Sequence, residues 1–415
     1  MTTPRLWNEL YMKVAVPHMD ETDAATLADA WITRSGALPL ALRLQAIPLT
    51  DREKVMTTVK AILDTFFRHS SRWEVIDIDL IGCPGVSFPK FGPTPWLRKF
   101  TYSTSWPVSI PFPFSSCPRL TAFSWPFSCT ASSSPTPNST ADIPWHQLTH
   151  INMEHVMSSY QTLELLRSCP RLVDFRVEID DDLNTTTPDQ SQSYYHFLRS
   201  GNLVENLCLQ HFHLVVYQTC SALLRSISLP ALTDFSLDTD YDSIRFVSSP
   251  SVRQELLHFF TRSKCKLDKL KLADCGFSDA ALLSCLKHPT CASLSELSIS
   301  NVYNRPMLTD RVVLALTDKD ALSENTNVLL PNLTYLSLEM CLAATPGLLG
   351  LMTLSRCLWW DKEDQLKSLN LIVRDLDDWD EMFINIAKEQ GLDVDITIEP
   401  YSDSEVAEDM HDSDF

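Results

Sequence analysis

The sequence predicts an α/β fold in which short parallel strands alternate with helices, and two observations predict it. First, one pattern recurs along the chain: a large apolar residue, two variable residues, an apolar residue, one variable residue and another apolar residue. Second, apolar residues spaced three and four apart fill many of the stretches between these copies, which is the spacing of a helix face. Each unit of the chain is therefore predicted to be a strand, a turn and a helix.

The strand pattern occurs eleven times in order. Its alternating apolar positions are those of a strand with one buried face. The first positions lie 23 to 39 residues apart, so several units must carry insertions. Leu40, Leu42 and Leu44 predict one earlier strand. The copies are Trp73/Ile76/Ile78, Leu97/Phe100/Tyr102, Leu120/Phe123/Trp125, Leu148/Ile151/Met153, Leu172/Phe175/Val177, Val204/Leu207/Leu209, Leu232/Phe235/Leu237, Leu267/Leu270/Leu272, Leu294/Leu297/Ile299, Leu333/Leu336/Leu338 and Leu366/Leu369/Leu371.

A second mark supports a repeat architecture. Cys275 follows Leu272 by three residues and Cys341 follows Leu338 by three, which is where the leucine-rich-repeat formula places Asn or Cys. A small polar side chain there can bond the backbone of the turn that leaves the strand. The sequence therefore predicts a leucine-rich-repeat solenoid (horseshoe), with a curved parallel sheet on its concave side and helices on its convex side. An ordinary α/β core with random apolar clusters is the alternative, but it rarely gives eleven copies in order.

Helices are predicted between the strands at 156–168, 251–263, 278–288 and 377–390. Ser278 stands where a helix start needs a capping oxygen, and Gly391 follows the last helix as a stop signal. The paired carboxylates Asp377 and Asp378 suit an acid-enriched first helical turn better than an acid–base pair.

The chain is predicted to have three parts. Residues 1–36 form a helical lead-in, residues 37–398 form the solenoid, and residues 399–415 form a disordered acidic tail without Lys or Arg. Within the solenoid, the stretches 103–119 and 124–144 are rich in Ser, Pro and Thr. They are predicted to be loops, because proline excludes helix interiors and central strands.

Composition narrows the class of partner and the location. Lys and Arg number 34 and Asp and Glu 53, so the net charge is 34 − 53 = −19, which disfavours a nucleic-acid partner. The N-terminus lacks the features of a secretory signal, and no run of about 18 apolar residues could span a membrane. We therefore expect a cytoplasmic or nuclear protein whose twelve cysteines are mostly buried thiols.

The patterns of the common enzymes and metal sites are absent from the sequence. No GxSxG, HExxH, GxxxxGK[ST] or GxGxxG motif occurs, so no catalytic residue, cofactor site or metal site is predicted. His211 and His213 flank Phe212 without a third ligand nearby, and we interpret them as ordinary surface or turn histidines. Trp359 and Trp360 are expected to pack beneath the end of the solenoid. Four cysteines also lack the close pairs of zinc sites: Cys265, Cys275, Cys285 and Cys291.

The N-terminal segments carry a family resemblance. TPRLWNEL (3–10) and AWITRSGALPLALRL (30–44) resemble the region just after the F-box in fungal F-box proteins with leucine-rich repeats, and the CPRL segments at 117–120 and 169–172 are similar to that group as well. The resemblance covers the post-F-box repeat region and not the F-box, the helical module that docks on a Skp-type adaptor. It implies the substrate-recognition part of an SCF-type ubiquitin-ligase receptor, with the adaptor as a partner only if an upstream F-box exists. Two explanations stay open: an incomplete gene model whose upstream exon encodes the F-box, and a stand-alone repeat protein.

The partner is predicted to bind the strand residues that alternate with the buried leucines, because these face the concave side. Their mixed, net acidic character suits a basic protein segment, with an aromatic anchor. The function predicted is therefore a protein-interaction scaffold. The alternatives are a stand-alone structural repeat protein or, less favoured, an enzyme with an unrecognised site. The predicted partner-binding residues are Asp174, Arg176, Glu178, Asp234, Asp238, Lys269, Lys271, Tyr335 and Glu339.

Overall fold

The computed structural model confirms an α/β fold with predominantly parallel strands. The chain divides into two compact units, unit 1 (Met1–Gln210 with Ser226–Ser228) and unit 2 (His211–Arg225 with Leu229–Phe415). The residues that the structure describes are 4–15, 21–47, 52–83, 86, 92–104, 114–125, 143–180, 203–239, 250–301, 308–317, 328–358 and 365–399.

In unit 1, seven strands pair in the order of the chain, and every adjacent pair is parallel. A separate two-residue pair joins β8 (Val204–Glu205) to β10 (Ile227–Ser228). The seven strands are β1 (Glu9–Val14), β2 (Leu40–Ala46), β3 (Trp73–Asp79), β4 (Lys99–Ser103), β5 (Ala122–Trp125), β6 (His150–Met157) and β7 (Asp174–Ile179).

In unit 2, another seven strands pair in the order of the chain, and every adjacent pair within the unit is parallel. A small parallel pair joins β14 (Leu308–Thr309) to β16 (Leu342–Ala343). The seven strands are β9 (His211–Val216), β11 (Asp234–Thr239), β12 (Lys269–Ala273), β13 (Glu296–Ser300), β15 (Tyr335–Glu339), β17 (Ser368–Val373) and β18 (Asp393–Ile398).

Helices connect many of these strands. The helices in the described part of the chain are α1 (Glu21–Arg34), α2 (Arg52–Arg68), α3 (Ser159–Ser168), α4 (Ser221–Ser226), α5 (Pro250–Ser263), α6 (Asp279–Leu286), α7 (Asp310–Leu316), α8 (Leu348–Leu358) and α9 (Asp378–Glu389). The long α1 and α2 pack against each other, and both contact β1. In unit 2, α7 packs against α8, and α8 packs against α9.

Ten of the eleven predicted copies supply a strand at their last two apolar positions, and so does the earlier segment at Leu40. The sixth prediction, Val204/Leu207/Leu209, is wrong. Leu207 is 65% exposed, and the strand is β9, which buries Phe212 and Leu214. The pattern fits here as Leu209/Phe212/Leu214, five residues later than predicted, because VENLCL matches it almost as well as LQHFHL does.

The four predicted helices are present with small changes at their ends. The first begins at Ser159 because β6 extends to Met157, and Ser158 caps it through a reciprocal bond with Gln161. Ser278 caps α6 as predicted, and Gly391 follows α9 with a φ of 105°, a backbone conformation that favours glycine.

Asp377 is the N-cap of α9, where its carboxylate accepts the Trp379 N–H at 2.9 Å. Asp377 and Asp378 are therefore at a helix start, as interpreted.

Several predictions fall partly or wholly outside the described residues. The lead-in predicted as helical at 1–36 contains α1, but it also contains the strand β1. Most of the predicted loops at 103–119 and 124–144 lies outside the described residues, as do Trp359, Trp360 and all of the predicted tail after Glu399.

In unit 2, Cys275 and Cys341 bond backbone carbonyl groups, but these belong to the preceding strand and not to the turn that was predicted. The Cys275 thiol lies 3.5 Å from the Leu237 carbonyl oxygen, and the Cys341 thiol lies 3.4 Å from the Ile299 carbonyl oxygen. Each bond joins the turn after one strand to the end of the preceding strand of the sheet. The thiols thereby link each turn to a buried part of the preceding strand.

Helices α8 and α9 touch at Gly350, which gives a stability prediction. The Gly350 N–H donates to the Asp380 carboxylate at 2.7 Å, which satisfies one of the free N–H groups in the first turn of α8. An added Cβ would lie 2.8 Å from both the Asp380 carbonyl oxygen and the Phe383 Cβ.

We expect Gly350→Ala to lower the free energy of unfolding by about 1–3 kcal/mol, measured by chemical denaturation. Gly92→Ala is the control, because a Cβ there meets nothing within 4 Å. Equal losses in both variants would contradict the contact.

Candidate partner-binding face

The strands of both units have one apolar face and one polar face. We call the second the polar strand face, defined by the residues that alternate with the buried apolar residues of the strands. Because the strands pair in register, residues at equivalent positions form rows that run across the strands. The geometry of the candidate site therefore follows directly from the register.

In unit 1, two rows cross the strands from β4 to β7. The first joins Lys99, Ala122, His150 and Asp174, and the second joins Thr101, Ser124, Asn152 and Arg176. A cavity of about 630 Å³ lies over these rows and is lined by residues of both. This size is within the range of small-ligand and peptide pockets.

Three polar atoms in the second row have no hydrogen-bond partner among the described residues. They are the Thr101 Oγ1, the Ser124 Oγ and the Asn152 Oδ1, and all three are buried. Ser124 as a whole is only 7% exposed. A buried polar atom without a partner costs free energy, so such a row is a place where a bound molecule could supply the missing partners.

Charged side chains surround this row. The Arg98 guanidinium lies 3.4 Å from the Glu74 carboxylate on the neighbouring strand β3. Glu154 on β6 accepts hydrogen bonds at both carboxylate oxygens, from Asn152 at 3.0 Å and from Ser103 at 3.2 Å. The side chain of Glu154 is thus held in place beside the row.

In unit 2, charges of opposite sign alternate at the centre of the corresponding first row, from Asp234 through Lys269 to Glu296. His211, Asp234, Lys269, Glu296 and Tyr335 are neighbours on successive strands. The His211 Nδ1 lies 3.6 Å from the Asp234 carboxylate, and the Lys269 Nζ donates to the Glu296 carboxylate at 2.7 Å. These are partly exposed pairs, which contribute to recognition and register more than to stability.

The environment shifts two pKa values in this row. Partial burial raises the pKa of Asp234, and the neighbouring His211 opposes that shift. The hydrogen bond to Glu296 raises the pKa of Lys269, so the lysine stays charged. The protonation of Asp234 and of Lys269 therefore depends on the residues beside them on the adjacent strands.

The second row of unit 2 is mostly neutral. It runs from His213 through Ser236, Lys271 and Ser298 to Ser337. The Ser236 Oγ is buried without a hydrogen-bond partner in the described part of the chain, while Ser337 accepts a hydrogen bond from Asn370 at 3.1 Å. Lys271 is the exposed charge of this row.

The nine predicted partner-binding residues all lie on the polar strand face. Three belong to unit 1, where Asp174 adjoins His150 and Arg176 adjoins Asn152. The other six belong to unit 2, where Asp234 pairs with Lys269 in register. Arg176 and Lys271 are exposed, and the remaining seven are half-buried: Asp174, Glu178, Asp234, Asp238, Lys269, Tyr335 and Glu339.

The sequence reasoning missed several residues of this face, among them Thr101, Ser124, Asn152 and His211. Thr101, Ser124 and Asn152 were passed over because they are neutral, although the same alternation places them on the polar strand face. His211 was missed because the sixth copy was assigned five residues too early. Reading polar residues as well as charges from the strand pattern would have found the first three.

The cysteines and histidines of the described residues form no group of three metal ligands. Burial raises the pKa of Cys265 to about 11 and of Cys341 to about 12, and it raises the pKa of Cys275 as well. A hydrogen bond with Cys285, followed by burial, raises the pKa of Cys291. These thiols are therefore protonated and weak nucleophiles at neutral pH.

A comparison with protein-family models finds no match, and a comparison with curated proteins finds none either. Within the described part of the chain, no helix has both the length and the apolar character needed to cross a membrane.

Proposed function

We propose that the chain is a protein-binding scaffold whose polar strand face holds a partner protein. The observation that carries the proposal is the alignment of polar and charged side chains into rows on the parallel strands of each unit. Rows on rigid strands present several contacts at fixed spacing, which suits an extended partner segment better than a single small substrate.

We further propose that the repeats are leucine-rich repeats of a solenoid. Support comes from the single strand in each repeat and from the in-register parallel pairing of these strands. The thiols of Cys275 and Cys341, which bond the backbone of the preceding strand, support it as well. In this proposal the polar strand face is the concave side and the helices form the convex side.

The proposed role is the substrate-recognition part of a ubiquitin-ligase receptor of the SCF type, acting in the cytoplasm or nucleus. This part of the proposal rests on the sequence resemblance at 3–10 and 30–44. The partner is a protein segment of basic character, because five of the nine predicted contact residues carry a carboxylate and only three are Lys or Arg. The five are Asp174, Glu178, Asp234, Asp238 and Glu339.

Charge reversal tests the scaffold proposal. The variant carries lysine at Asp174, Glu178, Asp234 and Asp238, and the readout is affinity capture from the protein's own cells followed by mass spectrometry. We expect the proteins enriched by the wild type to be lost from the variant, because like charges across an interface repel.

A matched control reverses the same number of charges on exposed helix residues, Glu53, Asp64, Glu381 and Glu389. The control should retain the same partners, and both variants should unfold at similar denaturant concentrations. Unchanged capture by the strand variant, or equal loss in the control, would contradict the proposal.

A further inference from the structure

Three side-chain atoms of unit 1 that have no hydrogen-bond partner among the described residues form the floor of a slot. Thr101, Ser124 and Asn152 lie at matched positions on three adjacent strands, which are about 4.8 Å apart. We name these three residues, together with Glu154 at the side, the β4–β6 slot. All four residues line or adjoin the 630 Å³ cavity.

The orientation of the Asn152 amide is fixed by its neighbour. Its Nδ2 donates to the Glu154 carboxylate at 3.0 Å, and the reverse orientation would set the amide oxygen against a carboxylate oxygen. Within the described part of the chain, the amide oxygen is therefore the atom without a partner, and it can only accept a hydrogen bond. This excludes an acceptor-only ligand such as a carboxylate at that position.

Glu154 adds charge to this pattern. It is held by Asn152 on its own strand and by Ser103 on β4, so it needs no rearrangement to accept further hydrogen bonds. The slot thus combines one fixed anion, one amide oxygen and two hydroxyl groups that can accept. Among the charged residues that line the cavity, Glu74, Glu154 and Asp174 outnumber Arg98 and Lys99. Arg98 is already paired with Glu74.

We propose that the β4–β6 slot binds an arginine side chain of the partner protein. A guanidinium group has five N–H donors and no acceptor, which matches a row of acceptors beside a carboxylate. Its flat shape and delocalised charge also reduce the cost of leaving water compared with a lysine ammonium group. The inference rests on the proposed scaffold function, and it specifies which side chain of the basic partner segment is recognised in unit 1.

The test uses the full chain and a synthetic peptide, acetyl-Gly-Ser-Arg-Ser-Gly-amide, with binding measured by calorimetric titration. The comparison peptides carry citrulline, which has the arginine shape without its charge, or glutamate in place of arginine. We expect saturable binding of the arginine peptide and binding of the citrulline peptide that is about tenfold weaker. The glutamate peptide should not bind.

Two slot variants locate the binding. Glu154→Gln and Ser124→Ala should each weaken the arginine peptide several-fold. Ser124→Ala removes a buried hydroxyl that has no partner among the residues that the structure describes, so it should leave the thermal unfolding midpoint unchanged or raise it. Ser236→Ala is the matched control, because Ser236 is equally buried, has an Oγ without a described partner and belongs to unit 2. Its affinity for the peptide should equal that of the wild type.

The outcomes separate the slot from the scaffold. Absent binding, equal binding of the arginine and citrulline peptides, preference for glutamate, or slot variants with wild-type affinity would each overturn the arginine slot. If partner capture still depends on the reversed carboxylates, the scaffold function stands without the slot. If capture does not depend on them, the scaffold proposal fails on its own test, whatever the peptide does.

Discussion

Arg356→Met is expected to lower the free energy of unfolding by about 3–5 kcal/mol, among the largest effects of any single substitution in unit 2. Arg356 lies on α8 and is only 2% exposed. Its guanidinium donates to the carbonyl oxygens of Leu316, Leu330 and Leu329 at 2.8, 3.0 and 2.5 Å. Methionine fills similar space but leaves these buried acceptors without their donor.

The three carbonyl groups belong to the end of α7 and to the segment before β15. Leu330 has a positive φ of 56°, a conformation that a leucine rarely adopts without support. Arg356 therefore donates hydrogen bonds to the carbonyl groups of this unusual backbone segment and also holds the segment in its conformation.

Chemical denaturation measures the effect, with Arg311→Met as the control. Arg311 lies on α7 but is exposed, so its loss should change stability by no more than about 0.5 kcal/mol. A loss at Arg356 as small as that at Arg311 would mean that the three carbonyl bonds contribute little.

Phe235→Ala is expected to cost about 3–5 kcal/mol of unfolding free energy, because it leaves a large cavity in a packed aromatic cluster. Phe235 on β11 is fully buried. Its ring centroid lies 5.9 Å from each of the rings of Phe212, Phe259 and Phe260. The cluster joins two strands of unit 2 to α5.

Phe235→Leu provides the graded comparison, since leucine fills part of the same space. Its loss should be clearly smaller than that of the alanine variant, in thermal or denaturant unfolding. Equal losses for leucine and alanine would indicate that ring-to-ring contacts, rather than cavity volume, dominate at this position.

Strand positions were the most predictable part of the fold. The apolar alternation gives both the element and its buried side, as Phe235 and Leu270 illustrate. The error at Leu207 arose because two overlapping segments fit the same pattern, and burial in the folded chain decides between them. The strand β18 was missed because the pattern before it lacks the leading apolar residue at the usual offset.

The candidate site could be predicted only in outline. Alternation places Asp174 and Lys271 on the polar strand face. That Ser124 and Asn152 lack hydrogen-bond partners among the described residues depends on which strands adjoin in register. Arg356 shows the same limit, because a lone arginine in an apolar helix gives no sign of the three carbonyl groups that it meets. These features depend on long-range packing and cannot be read from local spacing.

Site-specific photo-crosslinking tests the central claim most directly. A benzophenone amino acid is placed at the exposed strand positions Arg176 and Lys271, and in parallel at the exposed helix positions Lys60 of α2 and Glu389 of α9. After irradiation in cells, covalent partner adducts are identified by mass spectrometry. The account predicts adducts from the strand positions and none from the helix positions. Adducts confined to the helix positions would contradict it.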